Sequence, residues 1–188
     1  MGPFEYLLIF AAVILGLAIS DIAVSIHRLL NAGSRVRWDW LAPLAAALAF
    51  ERIVTQWWAW YGGRPIAQGM TYAMFVGILI SALLLFLMSA VSLPDELPEN
   101  QIDLRCYYHS ISRRYWLLFA AQWAVMNGVS TWAQITVAHA RMMLGSPLYL
   151  ILPAALALAY FRTRWLQAVG LIGFLALYTI IYFKKTLS

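Results

Sequence analysis

Long apolar runs broken by short polar connections dominate this chain, and their spacing predicts six membrane-crossing helices. A helix rising about 1.5 Å per residue needs roughly 20 apolar residues to cross about 30 Å of hydrocarbon. Runs of that order lie at approximately Phe4–Val24, Leu41–Tyr61, Ile66–Val91, Tyr115–His139, Pro147–Phe161 and Leu166–Phe183. Gly145, Ser146 and Pro147 interrupt the chain before the fifth, which reaches a full crossing length only from a start at Met142. Most connections are short, so residues 1–188 are expected to form one domain, a compact antiparallel bundle. The exception is 93–112, where Pro94 and Pro98 with Asp95, Glu96 and Glu99 mark a solvated turn. Ile102 to Tyr115 then reads as an interfacial lead-in to the fourth helix, with Tyr107, Tyr108 and Tyr115 at headgroup level. The first run carries no basic segment ahead of it and continues past the length of a signal peptide, so it is expected to be a retained span.

Composition strengthens this picture. The 188 residues are 63% hydrophobic and only 11% charged, whereas ordinary soluble domains are roughly 45–50% apolar and about 25% charged. The fold class is therefore all-α, a polytopic integral membrane protein with the lipid bilayer as its solvent. The formal net charge of +5 does not point to nucleic acid, because the basic residues flank the apolar runs, as topological signals do. One cysteine, Cys106, excludes an intramolecular disulfide and a cysteine-built metal site.

Arginine placement sets the expected orientation. With six spans, one side of the membrane receives Arg28, Arg35, Arg37, Arg105, Arg113, Arg114, Arg162 and Arg164; the other receives Arg64, Arg141, Lys184 and Lys185. Positively charged loops stay in the cytoplasm, which puts both termini on the non-cytoplasmic side.

Against this background Glu51 and Arg52, adjacent in the middle of LAPLAAALAFERIVTQWWAWYG, stand out. A charge at the bilayer centre costs from about 2.5 to more than 10 kcal/mol, and such residues commonly mark function. Glu51 lies ten residues past Leu41 and Asn127 twelve past Tyr115, so both are expected about 15–18 Å into the bilayer, within reach of each other. Asn127, Ser130 or Thr131, and Gln134 share one helical face; Glu51, Thr55 and Trp58 form a stripe, with Arg52 and Gln56 on the adjacent one. Asp21 and Gln122 are expected nearer the cytoplasmic surface. Together these residues predict a polar seam with Glu51 as titratable gate, Arg52 as its electrostatic tuner, and Asn127 and Gln134 as lining. The plainer expectation is that the same residues join helices through hydrogen bonds of about 0.6–2 kcal/mol each.

Other polar and aromatic positions carry less. Trp57, Trp58, Trp60 and Tyr61 read as an interfacial belt, with a ligand cage around Trp57 and Trp58 as the rival. Trp38, Trp40, Trp116 and Trp165 fall at expected span ends. Asp21 and Arg28 share a face, predicting a salt bridge or packing contact. His27, His109 and His139 have no metal-ligand spacing, and Gly77 with Ser81 suits close helix approach.

There is no P-loop, dinucleotide fingerprint, G-x-S-x-G or H-E-x-x-H. No catalytic residue, cofactor or metal is therefore expected. A lipid-acting enzyme built on the Asp95–Arg114 loop, with Arg113 and Arg114 gripping a headgroup, is a distant third reading. GLAISDIAVSIHRLL followed by RVRWDWL looks like segments of small multispan proteins of bacterial inner membranes, which implies that location. The leading functional expectation is a channel or transporter passing protons, small cations or a small solute along the seam. The alternative is a non-catalytic membrane subunit or anchor of a larger complex, and a homo-oligomer is compatible with either reading. Conduction requires water at Glu51; a structural role requires the polar groups dry and paired.

Overall fold

The computed structural model describes residues 3–62, 71–96, 101–136 and 147–183. They form six α-helices: α1 Pro3–Ala32, α2 Leu41–Gly62, α3 Tyr72–Ser92, α4 Leu104–Thr136, α5 Ile151–Tyr160 and α6 Arg164–Phe183. The all-α class follows directly. Three segments, Glu5–Arg35, Tyr72–Ser92 and Arg164–Phe183, are long and apolar enough to cross a membrane by length and composition.

The helix ends depart from the apolar runs for local reasons. α1 runs on to Ala32 and stops at Gly33, whose φ of 55° lies in the left-handed region where a side chain is disfavoured. α2 starts beyond Asp39, whose carboxylate accepts the Leu41 N–H at 3.0 Å. α3 starts after Thr71, whose hydroxyl accepts the Met74 N–H as an N-cap. The expected lead-in at 102–115 is instead mostly the first three turns of α4, because Asp103 caps a helix at Leu104 by accepting the N–H groups of Arg105 and Cys106. The fifth run splits into a 3-10 turn, Pro147–Leu150, and the ten-residue α5. At about 15 Å, α5 is half a crossing length. The expected starts at Ile66 and Met142 lie outside the described residues.

α3 packs most extensively on α4 and also against α1; α2 packs on α6 and α3, and α5 on α4. The interface of α2 is an alanine stripe, Ala42, Ala45, Ala46 and Ala49, all buried. Its small side chains let Tyr115 of α4 reach across and donate to the Ala45 carbonyl at 2.8 Å. Gly77 does the same for α3 and α4: a Cβ there would lie 2.4 Å from Cγ2 of Val129. The close approach suggested by Gly77 and Ser81 is thus made within this chain. Between α4 and α6 the core is aromatic, with Trp116, Phe119 and Phe174 at centroid distances of 5.0–5.6 Å. Tyr108, Tyr115 and Trp116, expected at an interface, are buried in this core instead. The extra turns of α4 carry them inside the bundle.

The connections from α1 to α2, α3 to α4 and α5 to α6 gather at one end, as alternating helix directions require. Two-residue strands, β1 Val36–Arg37 and β2 Ile102–Asp103, pair in parallel there. Arg37 and Asp103 sit 3.4 Å apart, Arg164 donates to Asp39 at 2.6 Å, and Arg28 donates to the Asp95 carbonyl at 2.6 Å. The expected Asp21–Arg28 pair is not formed; seven helical residues separate the two by about 10 Å along the axis, and Arg28 turns to the neighbouring connection. This end therefore carries Arg28, Arg35, Arg37, Arg105, Arg162 and Arg164 together.

Candidate functional site

Arg52 points inward from α2 and is 5% exposed, so its guanidinium has little access to water. Its Nη2 donates to Oε1 of Gln122 on α4 at 3.0 Å, and Nη1 approaches the Thr55 hydroxyl at 3.4 Å. The guanidinium carbon lies 4.1 Å from the ring centroid of Tyr178 on α6, a cation–π contact that gains strength out of water. The Gln122 amide nitrogen divides its two protons between Oε1 of Gln56 at 3.0 Å and the Ser81 hydroxyl of α3 at 3.1 Å. Thr55 returns its own proton to α2 carbonyls, those of Glu51 at 2.9 Å and Arg52 at 3.2 Å. Four helices, α2, α3, α4 and α6, thus meet at one polar cluster.

Two features of this cluster are unusual. No carboxylate lies within 4.0 Å of Arg52 among the described residues, and its Nε is buried without a partner. The positive charge is held by an amide, a hydroxyl and an aromatic face. Glu51, one residue earlier, points away: adjacent helical residues diverge by about 100°, and its carboxylate makes no hydrogen bond or ion pair among the described residues. It is half-buried beside the exposed Phe50, Val54 and Trp57.

Only part of the expected seam assembles. Arg52, Thr55, Gln56 and Gln122 come together; Glu51 does not join them. Asn127 donates to the Trp123 carbonyl of its own helix at 2.9 Å and does not reach Glu51. Thr131 is half-buried and Gln134 exposed, one to two turns beyond. Asp21 sits at the arginine-rich end of α1, away from the cluster. Trp57 is exposed and Trp58 half-buried, while Trp60 is buried with its indole N–H unpartnered. His139 lies outside the described residues, and no group of three or more potential metal ligands occurs among those described.

A second buried polar centre went unread in the sequence. Gln167 on α6 is 2% exposed and fully used. Its Oε1 accepts from Tyr108 at 2.8 Å and from the Trp116 indole at 2.6 Å. Its Nε2 donates to the last carbonyls of α5, Leu158 at 2.7 Å and Phe161 at 2.9 Å. One side chain therefore ties α4, α5 and α6 and closes the orphan carbonyls at the end of α5. Tyr107 and Tyr108 lie ahead of Tyr115, outside the expected span. Burial pushes the Tyr107 hydroxyl up to about 12, with Asp95 and Asp21 adding to the shift. Burial likewise raises Tyr108, opposed by its contact with Trp116. Both stay protonated as donors at neutral pH. The only sequence signal for Gln167 was a lone amide four residues into an apolar helix, which a length-and-composition reading passes over.

Comparison of the chain with protein-family models, curated proteins and solved structures finds no match.

Proposed function

We propose that this is an integral membrane protein of the bacterial inner-membrane kind, serving as a non-catalytic subunit or anchor. The membrane placement rests on an inverted distribution of side chains. Phe10, Val13, Leu17, Leu83, Val169, Ile172 and Ile180 are exposed, while Arg52, Gln56, Ser81, Gln122 and Gln167 are buried. A water-soluble bundle of this size would show the opposite. In a bilayer the polar centres act as interhelical ties.

The subunit role rests on one observation. The groups around Arg52 bond to one another, whereas the half-buried Glu51, beside exposed Phe50, Val54 and Trp57, has no side-chain partner among the described residues. A lipid-exposed carboxylate at mid-depth is costly, and a partner helix offering a cation or a hydrogen-bond donor relieves that cost. Photo-crosslinking tests this. A benzophenone side chain at Val54 or Trp57, in native membranes, is expected to give one discrete protein adduct that Glu51→Leu abolishes. The same probe at Leu83 is expected to give none. Adducts to lipid alone at all three positions would contradict the subunit role. A band at twice the chain mass would identify the partner as a second copy.

Transport along the seam is the second reading, favoured by the unpartnered Nε of Arg52, a buried donor free to take a solute acceptor. Orientation has its own test. Cys106 is exposed at the arginine-rich end, so the positive-inside rule predicts labelling by a membrane-impermeant maleimide only after cells are permeabilised. Labelling of intact cells would reverse the orientation.

A further inference from the structure

A cleft of about 480 Å³ opens at the arginine-rich end, between the first turns of α4 and the turn from α5 to α6. Its size falls within the roughly 300–1,000 Å³ of small-molecule sites. Arg105, His109, Arg162 and Arg164 line it, with Tyr108 and Gln167 behind them. No acidic side chain among the described residues lines it.

The charge balance there is one-sided for a definite reason. Two acids at this end are already committed: Asp39 holds Arg164 and the Leu41 N–H, and Asp103 holds Arg37 and the first N–H groups of α4. The cleft hydroxyls are committed too, since Ser110 and Ser112 donate to the carbonyls of Tyr107 and His109. Arg105 and Arg162 are left with no side-chain partner among the described residues. They flank a cavity whose serine, tyrosine and glutamine groups are already bonded, and two guanidinium groups beside such a cavity can bind a phosphate oxygen pair.

A second groove adjoins this cleft and shares Arg164 with it. Trp38, Trp40, Pro43, Leu44 and Ala47 line the groove along the outer face of α2, with Asp39 at its end, its carboxylate held by Arg164. Cation-lined at one end and apolar along its length, the pair matches a molecule with an anionic head and a hydrocarbon tail. We infer that this end of the protein binds a phospholipid with an anionic phosphate headgroup, the phosphate between Arg105 and Arg162 and an acyl chain along the α2 groove. This inference rests on the membrane placement proposed above.

Cys106 lines the same cleft, which supplies a readout independent of stability. The full chain is reconstituted in lipid discs of phosphatidylcholine alone or in equal mixture with phosphatidylglycerol, and alkylation of Cys106 by an uncharged maleimide is timed. Phosphatidylglycerol is expected to slow the reaction about tenfold, the scale of one charge-assisted hydrogen bond. Arg105→Gln with Arg162→Gln is expected to abolish the difference, and the corresponding double lysine variant to keep most of it. Both arginines are exposed, so the fold tolerates these changes, and the wild-type comparison decides even without them. Equal rates in the two discs, or protection that survives the glutamine variant, would overturn the inference. Equal protection by inorganic phosphate in phosphatidylcholine discs would overturn the lipid assignment in favour of a soluble anion. Failure of the membrane placement itself would show separately, as failure of the chain to co-elute with discs.

Discussion

Gln122→Leu is expected to destabilise the folded protein by about 3–5 kcal/mol, and Arg52→Met by only about 1 kcal/mol. The asymmetry comes from what each change leaves behind. Without Gln122, the buried Arg52 guanidinium loses its only amide acceptor among the described residues, and an unpaired buried charge costs several kcal/mol. Gln56 and Ser81 lose their donor in the same step. Without Arg52 the charge itself is gone; methionine fills the space of the stem, and Gln122 keeps its bonds to Gln56 and Ser81. Combining the two changes is therefore expected to be less damaging than Gln122→Leu alone, a coupling that contacting residues show and distant ones do not. Unfolding titrations of the detergent-purified variants, followed by tryptophan fluorescence, supply the three values. Equal losses for the two single variants, or simple additivity, would mean that Arg52 and Gln122 do not form one unit.

Gln167→Met is expected to cost about 3 kcal/mol although it preserves the side chain's volume. Four hydrogen bonds end on this residue, and the change leaves Tyr108, Trp116 and two α5 carbonyls without their partner. Each abandoned buried group costs about 1–3 kcal/mol, partly recovered by relaxation. The loss is expected to concentrate in α5, the shortest of the described α-helices, which this side chain bonds to α6 beside the close packing of Leu158 on Gly170. Hydrogen exchange of the variant checks this: amides of residues 151–160 should exchange faster while those of α3 stay protected. A uniform increase across all helices would show that Gln167 is no local tie.

How much of this was legible beforehand follows from what a linear pattern encodes. Helix number and the gathering of arginines at one end follow from run length and alternation: among the described residues six helices form, and Arg28, Arg35, Arg37, Arg105, Arg162 and Arg164 lie together. Depth counted from the edge of an apolar run does not carry over between helices: Gln122, expected nearer the cytoplasmic surface, lies level with Arg52 and Gln56, because α4 starts earlier than its apolar run. Rotation about the axis does not follow. Asn127, expected level with Glu51, lies beyond Gln122 along α4 and bonds to its own helix, while Glu51 turns away from the cluster. Which of two adjacent charges turns inward depends on the alanine stripe of α2 and its register against α4, and no local signal reports that register. Asp103 as a cap for α4 was readable from residue type and spacing, but the apolar run drew the boundary eleven residues too late. Tyr108, Tyr115 and Trp116 were misplaced for that same reason. Gln167 was invisible because its partners come from two other helices.

In the proposed role, the polar cluster at Arg52 ties helices together and does not conduct. Proton and cation flux into liposomes holding the purified wild type, Glu51→Gln or Arg52→Met, with helical content and monodispersity checked for each, tests it most directly. The expected result is wild-type flux no greater than that of empty liposomes, unchanged in either variant. Wild-type flux that disappears in a well-folded Glu51→Gln protein would contradict the claim and establish Glu51 as a gate.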